Sequence, residues 1–503
     1  MKVLLTGAAG GMGRESLKQM VSDKGKYQIV ALDLDNDKCR EQLQPYVGNK
    51  RVQIMHGDLT DSSFVEKAVR DCDLILHIAA FVSPAADYYP KKAMEVNYGG
   101  TRNLIEAVRK LGQTDTTFFV YIGTVAETGD RMPPIHWGRV GDPIKPSMFD
   151  YYAVSKIASE RYVIESGLKH WVSLRQTGIM GPAMAGVNDA IQFHNCLDNV
   201  LEYVSDRDSG RLMCHLASYM EDGRLPDAFW GHIYNIGGGP SCRVDTYTMY
   251  KIMYGEIGIK DLDVILDPKE YATLNFHGQY YLDSDKLEEY LHFRSDSMQY
   301  FYDAYLKKLG AAKPFGRVIC KLPGGQKLMG SIIRSTFKKL LNSQHGTKHF
   351  IDANMEDHID AYWGSKKKWE TLPEKASQMD HFTDWNKVVP IDHGYDESKP
   401  EEELTLNDLK GAAKFRGGEC LSKSMGQGDW TSKQSFRCAF GHTFEASPRL
   451  VLEGGHWCPE CERKSWNYGE RAKLDPFFAQ VWNPLHDPDE MREYPKEVTE
   501  LDV

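Results

Sequence analysis

The sequence predicts an α/β protein: a parallel, doubly wound sheet with a smaller lobe attached, followed by a C-terminal domain that holds a metal ion. Three observations carry this. The chain opens as strand, Gly-rich turn and helix (VLLTG, AAGGMG, RESLKQMV). Strand and helix patterns then keep alternating, with the turn sequences GDL, HIAA and IGT at the strand ends. Near the far end, Cys438 and His442 stand three residues apart and Cys458 and Cys461 two apart, with fifteen residues between the pairs.

The totals set the frame. A chain of 503 residues exceeds one core, so two or three domains are expected. Composition is 41% hydrophobic and 26% charged, and no apolar run reaches the ~20 residues of a membrane span. MKVLL enters a strand at once, leaving no room for a signal peptide. The ten cysteines therefore read as reduced thiols in a cytoplasmic protein, not as a disulfide framework. A net charge of −10 argues against nucleic acid as the main partner.

Taken in order, Gly7, Gly10 and Gly13 let the backbone turn tightly and approach a pyrophosphate, while the helix N-terminus offers N–H groups to that anion. This is a Rossmann-type opening. The second strand, YQIVALD, ends at Asp33, twenty residues after Gly13. A carboxylate there accepts hydrogen bonds from an adenosine ribose and repels a 2′-phosphate, which favours NAD over NADP. VQIMHGDL ends at Asp58 and Leu59, DLILHIAA contains Ala79, and TTFFVYIGT ends at Thr124. In FDYYAVSKIASERYV, Tyr152 and Lys156 are four apart and share one helix face. A tyrosine is a poor acid–base group at neutral pH because its pKa is ~10. Lowering it by about three units takes ~4 kcal/mol, which a nearby ammonium and an oxidised nicotinamide can supply. A buried Tyr beside a solvated Lys is the plain alternative.

TGAAGGMG, the strand ending at Asp33, GDL, HIAA, NYGGTRN, YIGTVAETG and YAVSK occur in the order found in extended short-chain dehydrogenases/reductases, the NAD-dependent epimerase/dehydratase group. The resemblance covers roughly residues 1–305. It implies that Gly7, Gly10 and Gly13 hold the pyrophosphate, Asp33 the ribose, and Asp58 with Leu59 the adenine, with Ala79 also at the cofactor. It implies Tyr152 as acid–base, Lys156 to depress its pKa and bind ribose, Thr124 to orient substrate, and a chiefly structural Asn97. It also implies a homodimer through helices near residues 98–110 and 152–167.

Departures narrow the reaction. The sugar-nucleotide 4,6-dehydratases of this group follow the Thr with Asp-Glu; here Val125 and Ala126 follow, and neither moves a proton. The segment LRQTGIMGP keeps Arg175 but carries Gly178 and Met180 where sugar-nucleotide enzymes carry Asn and Tyr. With Arg175, these are the expected substrate residues, and the loss of the Asn removes a polar anchor. HWGRV, IQFHNC, LMCHLASYM and FWGHIYN add aromatic and sulfur side chains and four histidines, His136, His194, His215 and His232, each read singly as structural. Together they lean toward an apolar or aromatic small molecule. The expected activity is hydride transfer between nicotinamide and a carbonyl or alcohol carbon, or reduction of an enone. An epimerase that oxidises transiently is the alternative, and an NAD-sensing binding protein a further one.

The domains expected are residues 1–309 for the NAD-binding unit (substrate lobe mainly 175–305), 310–400 for a helical and irregular connection, and 401–503 for the zinc-binding domain. Within the connection, VICKLPGGQKLMGSIIRSTFKKLL reads as a helix packed on the protein with a solvated basic face; contact with an anionic membrane is the other reading. Cys438, His442, Cys458 and Cys461 fill all four positions of a tetrahedral zinc, so that site is structural. The span from GGECLS to CPEC resembles zinc-ribbon or treble-clef modules.

Overall fold

The structure is a computed structural model that describes residues 1–498; the remainder of the expected 401–503 domain lies outside the described residues. Seven parallel strands form the central sheet: β1 (Lys2–Thr6), β2 (Gln28–Asp33), β3 (Val52–His56), β4 (Leu74–His77), β5 (Phe118–Thr124), β6 (His170–Gln176) and β7 (His232–Ile236). Their spatial order is 7-6-5-4-1-2-3, so the direction of travel reverses between β1 and β4. Open sheets of this kind bind ligands at that reversal, outside the carboxyl ends of the strands. Registry brings those ends level: Thr6 lies beside Leu32 and His77, and Thr124 beside Gln176.

The strands are apolar on both sides because both faces are covered. Val3 and Leu5 feed one core and Leu4 the other, all fully buried. On the first face α1 (Gly11–Ser22) lies with Leu17 and Met20 among Leu212, Met213 and Leu216, which come from a long helix at Asp206–Glu221. The second face carries α2 (Gly100–Lys110) and α3 (Tyr151–Ile164).

Helix α3 is buried without a break from Ala153 to Glu160. A surface helix leaves one side polar and wet; this one does not, because the C-terminal domain sits on its outer side. Arg161 Nη2 donates to the Trp457 carbonyl oxygen (2.9 Å), and the Ser447 hydroxyl donates to Glu165 (2.7 Å). The expected homodimer uses α2 and α3. On α3 the outer side is covered by the chain's own C-terminal residues.

The connecting region is folded onto the rest. Helices α4 (Ala312–Cys320) and α5 (Gly325–Leu341) form a hairpin whose Met329, Phe337 and Leu341 pack with Ile257, Leu262 and Ile265 of the substrate lobe. Lys327, Lys338 and Lys339 stand exposed on the other side of α5. Next come α6 (Thr347–Asp352) and α7 (Glu356–Trp363). Farther on, His393 Nε2 is 3.0 Å from Asp142, which Arg131 meets at 2.9 Å, a buried ionic link back to the sheet domain. The C-terminal domain holds a small antiparallel sheet, β8 (Glu419–Cys420), β9 (Gln434–Arg437) and β10 (Thr443–Ala446).

Candidate active site and metal cluster

The glycine turn is as tight as the spacing demands. Gly7 has φ +70°, and a Cβ there would stand 2.8 Å from the Ala79 Cα; a Cβ on Gly13 would stand 2.0 Å from the Gly7 carbonyl oxygen. Gly10 N–H closes the turn on that same carbonyl at 3.0 Å. Asp33, at the end of β2, accepts hydrogen bonds from the backbone N–H groups of Ala9 (2.7 Å) and Leu34 (2.8 Å), which pin its carboxylate to the loop. Asp58 is exposed and accepts from the Thr60 N–H at 2.9 Å, while Leu59 is buried and its carbonyl accepts from Asn103 at 2.9 Å. Ala79 N–H donates to the Thr6 hydroxyl at 3.2 Å. All seven positions meet at one edge of the sheet.

Thr124 ends β5 and caps the turn that follows. Its Oγ1 accepts from the Ala126 N–H (3.2 Å), and the Glu127 carboxylate accepts from the Thr124 N–H (2.9 Å), a capping box legible as T-V-A-E. Tyr152 and Lys156 project from α3 one turn apart. Burial pushes the Tyr152 phenol above its ordinary range, and a hydrogen bond with Thr124 opposes this. Lys156 is 2% exposed, and burial brings it down to about 8 against the pull of Glu127 and Glu160. Its ammonium lies 4.2 Å from the centre of the Tyr121 ring. Asn97 is structural, as expected: Nδ2 donates to the Phe81 carbonyl oxygen (2.9 Å) and to the Ser155 hydroxyl (2.8 Å), tying the loop after β4 to α3.

Beside the first turn of α3 lies a chamber of about 310 Å³. Asp87, Tyr88, Phe149 and Asp150 form one side; His194, His345, His358 and Tyr362 form another, so α7 and the loop before α6 roof it. Rings stack around it, Tyr88 on His345 with centres 3.6 Å apart and Phe149 on His358 at 4.3 Å. Asp87 accepts from the Tyr152 backbone N–H at 3.0 Å, so this wall touches the turn that carries the phenol. Burial, with Asp150 nearby, pushes Asp87 up to about 7.

The three expected substrate residues do not line this chamber. Arg175, 1% exposed, donates through Nη2 to Glu160 (2.6 Å) and to the Gly454 carbonyl oxygen (2.7 Å), and stands 3.2 Å from Glu127. It is a buried structural cation. Gly178 faces the Tyr203 ring, which a Cβ would meet at 2.9 Å, and Met180 is fully buried among Val125, Leu201 and Tyr203. Of the four histidines, His136, His215 and His232 bond to Trp385, Leu291 and Glu453 respectively, and only His194 lines the chamber.

The sequence reading missed the network beneath the lysine. Glu160 is one helical turn beyond Lys156 and wholly buried; His456, from the C-terminal domain, lies 2.9 Å from its Oε2. Burial pushes Glu160 up, but Arg175 and the hydrogen bonds of His456 and Arg175 outweigh this and hold it well below its ordinary range. Burial and Glu160 raise Glu127 well above its own. The spacing Tyr152, Lys156, Glu160 at four-residue steps was the available signal.

The Cys/His positions converge. Cys438 Sγ is 3.7 Å from Cys461 Sγ and 3.5 Å from His442 Nδ1, which is 3.4 Å from Cys461 Sγ and 3.7 Å from Cys458 Sγ. Zinc bonds of ~2.3 Å to sulfur and ~2.0–2.1 Å to nitrogen imply tetrahedral edges of ~3.8 Å and ~3.5 Å. The donor set fits a four-coordinate ion, with Gly441 at φ +82° completing the knuckle turn after Cys438. Cys420 stands outside the set, paired with Phe436 in the small sheet. His232, Glu401 and Glu453 also lie close enough to share an ion, but Arg449 bonds to all three and already supplies the cation.

Comparison with known proteins finds similarity in the N-terminal part of the chain. The 3-beta hydroxysteroid dehydrogenase/isomerase family model matches residues 4–207. The chain is 25% identical over 243 residues to mouse (Mus musculus) 3 beta-hydroxysteroid dehydrogenase type 7, covering 46% of this chain and 62% of that protein. It is 24% identical over 266 residues to 3 beta-hydroxysteroid dehydrogenase/Delta 5-->4-isomerase of Mycobacterium tuberculosis, covering 51% and 59%. The chain thus spans about three fifths of the length of these two curated relatives. A solved structure, the dTDP-glucose 4,6-dehydratase DesIV of Streptomyces venezuelae with NAD bound, is 22% identical, covers 62% of this chain and 99% of its own, and has a TM-score of 0.47. Residues 4–207 are thus similar to the 3-beta hydroxysteroid dehydrogenase/isomerase family, within the extended short-chain dehydrogenases/reductases that the sequence resembles.

Proposed function

We propose that the protein is an NAD-dependent oxidoreductase that interconverts a carbonyl and an alcohol, with Tyr152 as the acid–base group. The observation that supports this most is the buried ammonium of Lys156 one turn from Tyr152, with Thr124 bonded to the phenol. Bound NAD would supply hydride transfer; the close-packed Gly7, Gly10 and Gly13 turn and the pinned Asp33 suit its pyrophosphate and ribose. Tyr152 passes a proton to or from the substrate oxygen, and Thr124 orients that oxygen. Lys156, low in pKa yet charged at neutral pH, favours the phenolate. The chamber beside Asp87 takes the substrate body. Its rings suit an aromatic or apolar skeleton, and its carboxyl and imidazole groups suit a molecule carrying at least one hydrogen-bond donor.

Cys438, His442, Cys458 and Cys461 would hold a structural zinc, leaving no position for water or substrate.

The test is NADH absorbance with a panel of ketones, enones and UDP-sugars. Turnover of a ketone or enone that falls roughly 10²–10⁴-fold in Tyr152→Phe supports the proposal. Interconversion of a sugar nucleotide with no net NADH change replaces it with the epimerase reading.

A further inference from the structure

Helices α4 and α5 form a hairpin outside the family-matched residues, and its surface is unlike the rest of the molecule. Phe315, Val318 and Leu322 are 60%, 63% and 59% exposed, and Leu328 and Ile332 are 54% and 48% exposed. A spacing of three places Phe315 and Val318 on one side of α4, Leu322 follows in the turn beyond it, and Leu328 and Ile332 are one turn apart on α5. The inward side is satisfied separately by Cys320, Met329 and Phe337 in the substrate-lobe core. The apolar row is thus additional to what packing needs. It gathers toward the turn Leu322–Gly325, which is closed by Gly324 at φ +74° and by Gly325, where a Cβ would stand 1.8 Å from the Ile319 carbonyl oxygen.

Charge identifies the partner. From Ala304 to Ile351 the sequence has no Asp or Glu and ten Lys and Arg (Lys307, Lys308, Lys313, Arg317, Lys321, Lys327, Arg334, Lys338, Lys339, Lys348), in a chain whose net charge is −10. Lys313 and Arg317 pair with Glu256, and Arg334 with Glu270. Lys321 and Lys327 flank the apolar tip and are exposed, as are Lys338 and Lys339 farther along α5. An exposed apolar ridge rimmed by lysines matches a bilayer with anionic headgroups: side chains enter the acyl boundary while ammonium groups meet phosphate. Among the described residues no helix is long and apolar enough to cross a membrane, so this contact is one of insertion from one side.

We propose that the α4–α5 hairpin seats the protein on an anionic lipid surface, with Phe315, Val318 and Leu322 entering the bilayer and Lys321 and Lys327 on the headgroups. Residues beyond α5 lead straight to the chamber, since His345 follows Leu341 by four and lines it. A bilayer-bound hairpin therefore lies next in the chain to the substrate wall.

The test uses the full chain and sedimentation with vesicles of phosphatidylcholine, alone or with about a third phosphatidylglycerol. The expected result is binding to the anionic vesicles that weakens at least about tenfold without phosphatidylglycerol or in roughly 0.5 M salt. Phe315→Asp with Leu322→Asp, both at exposed positions, is expected to remove it while NADH binding persists. Val318→Trp should shift its emission to the blue on those vesicles. Binding without that shift, or no binding at all, overturns the proposal. So does concentration-dependent self-association abolished by the same Asp pair, which would make a second copy the occupant.

Discussion

The turn after β1 and the knuckle after β9 are built alike and do opposite things. Each uses a glycine in the left-handed region, Gly7 at +70° and Gly441 at +82°, to fold backbone N–H groups around a point. The first leaves that point open to an anion at a helix N-terminus. The second surrounds its point with three sulfurs and an imidazole, and no position remains. Local turn geometry therefore says that something is held, and the donor chemistry around it says whether anything reacts there. The two turns are nevertheless connected. The loop between His442 and Cys458 supplies Gly454 and His456, which clamp Arg175 and Glu160 beneath Lys156.

The sharpest way to break this comparison is to empty the knuckle. Chelation or Cys458→Ser should remove on the order of 10 kcal/mol from the C-terminal domain. NADH turnover should fall with it although no ligand touches substrate, as metal analysis, a thermal melt and an activity assay on one sample would show. Should activity survive full metal loss, the clamp does not matter to the site. Next in size, Glu160→Ala leaves Arg175 buried beside a raised Glu127 and should cost about 3–5 kcal/mol in urea unfolding.

Asp87→Asn probes the open side through pH. Asp87 is raised to about 7 from its ordinary 3.8, so its contribution to stability is fully present below pH ~4 and is lost as pH rises through ~7. The Asn variant should therefore gain on the wild type between pH 5 and pH 8, by about 2–4 kcal/mol. A constant difference across that range would mean Asp87 is ionised throughout. The smallest effect belongs to Met180→Leu, a swap inside a closed core: under about 1.5 kcal/mol in stability, and unchanged KM for whatever substrate turns over.

Legibility followed range. The geometry of Gly7 with Gly13, and of Tyr152 with Lys156, was readable because it is set within one turn or one helix face. The four metal positions were readable because thiolate and imidazole at short spacing have few other uses. The partners of Arg175 were not readable, because a sequence pattern shows a strand position and not the Gly454 carbonyl 279 residues away that accepts from the guanidinium. The packing around Met180 was hidden for the same reason, and the chamber's far wall, from residues 345–362, gave no local sign of where it would dock. The complete burial of α3 was equally long-range. AVSKIASE carries Ser155, Lys156, Ser159 and Glu160, four polar residues that segments distant in the sequence bury.

That helix also has a history during synthesis. Its sheet partners are complete by about residue 309, yet Trp457, His456 and Ser447 emerge well over a hundred residues later. At roughly 5–20 residues per second, the ribosome leaves the outer side of α3 bare for on the order of ten to thirty seconds. During that interval the nascent chain presents an uncovered helix and a half-built ion pair. A gene fragment ending near 309 would stay in that condition permanently, so it should cling to chaperones or precipitate instead of behaving as a smaller version of the whole chain.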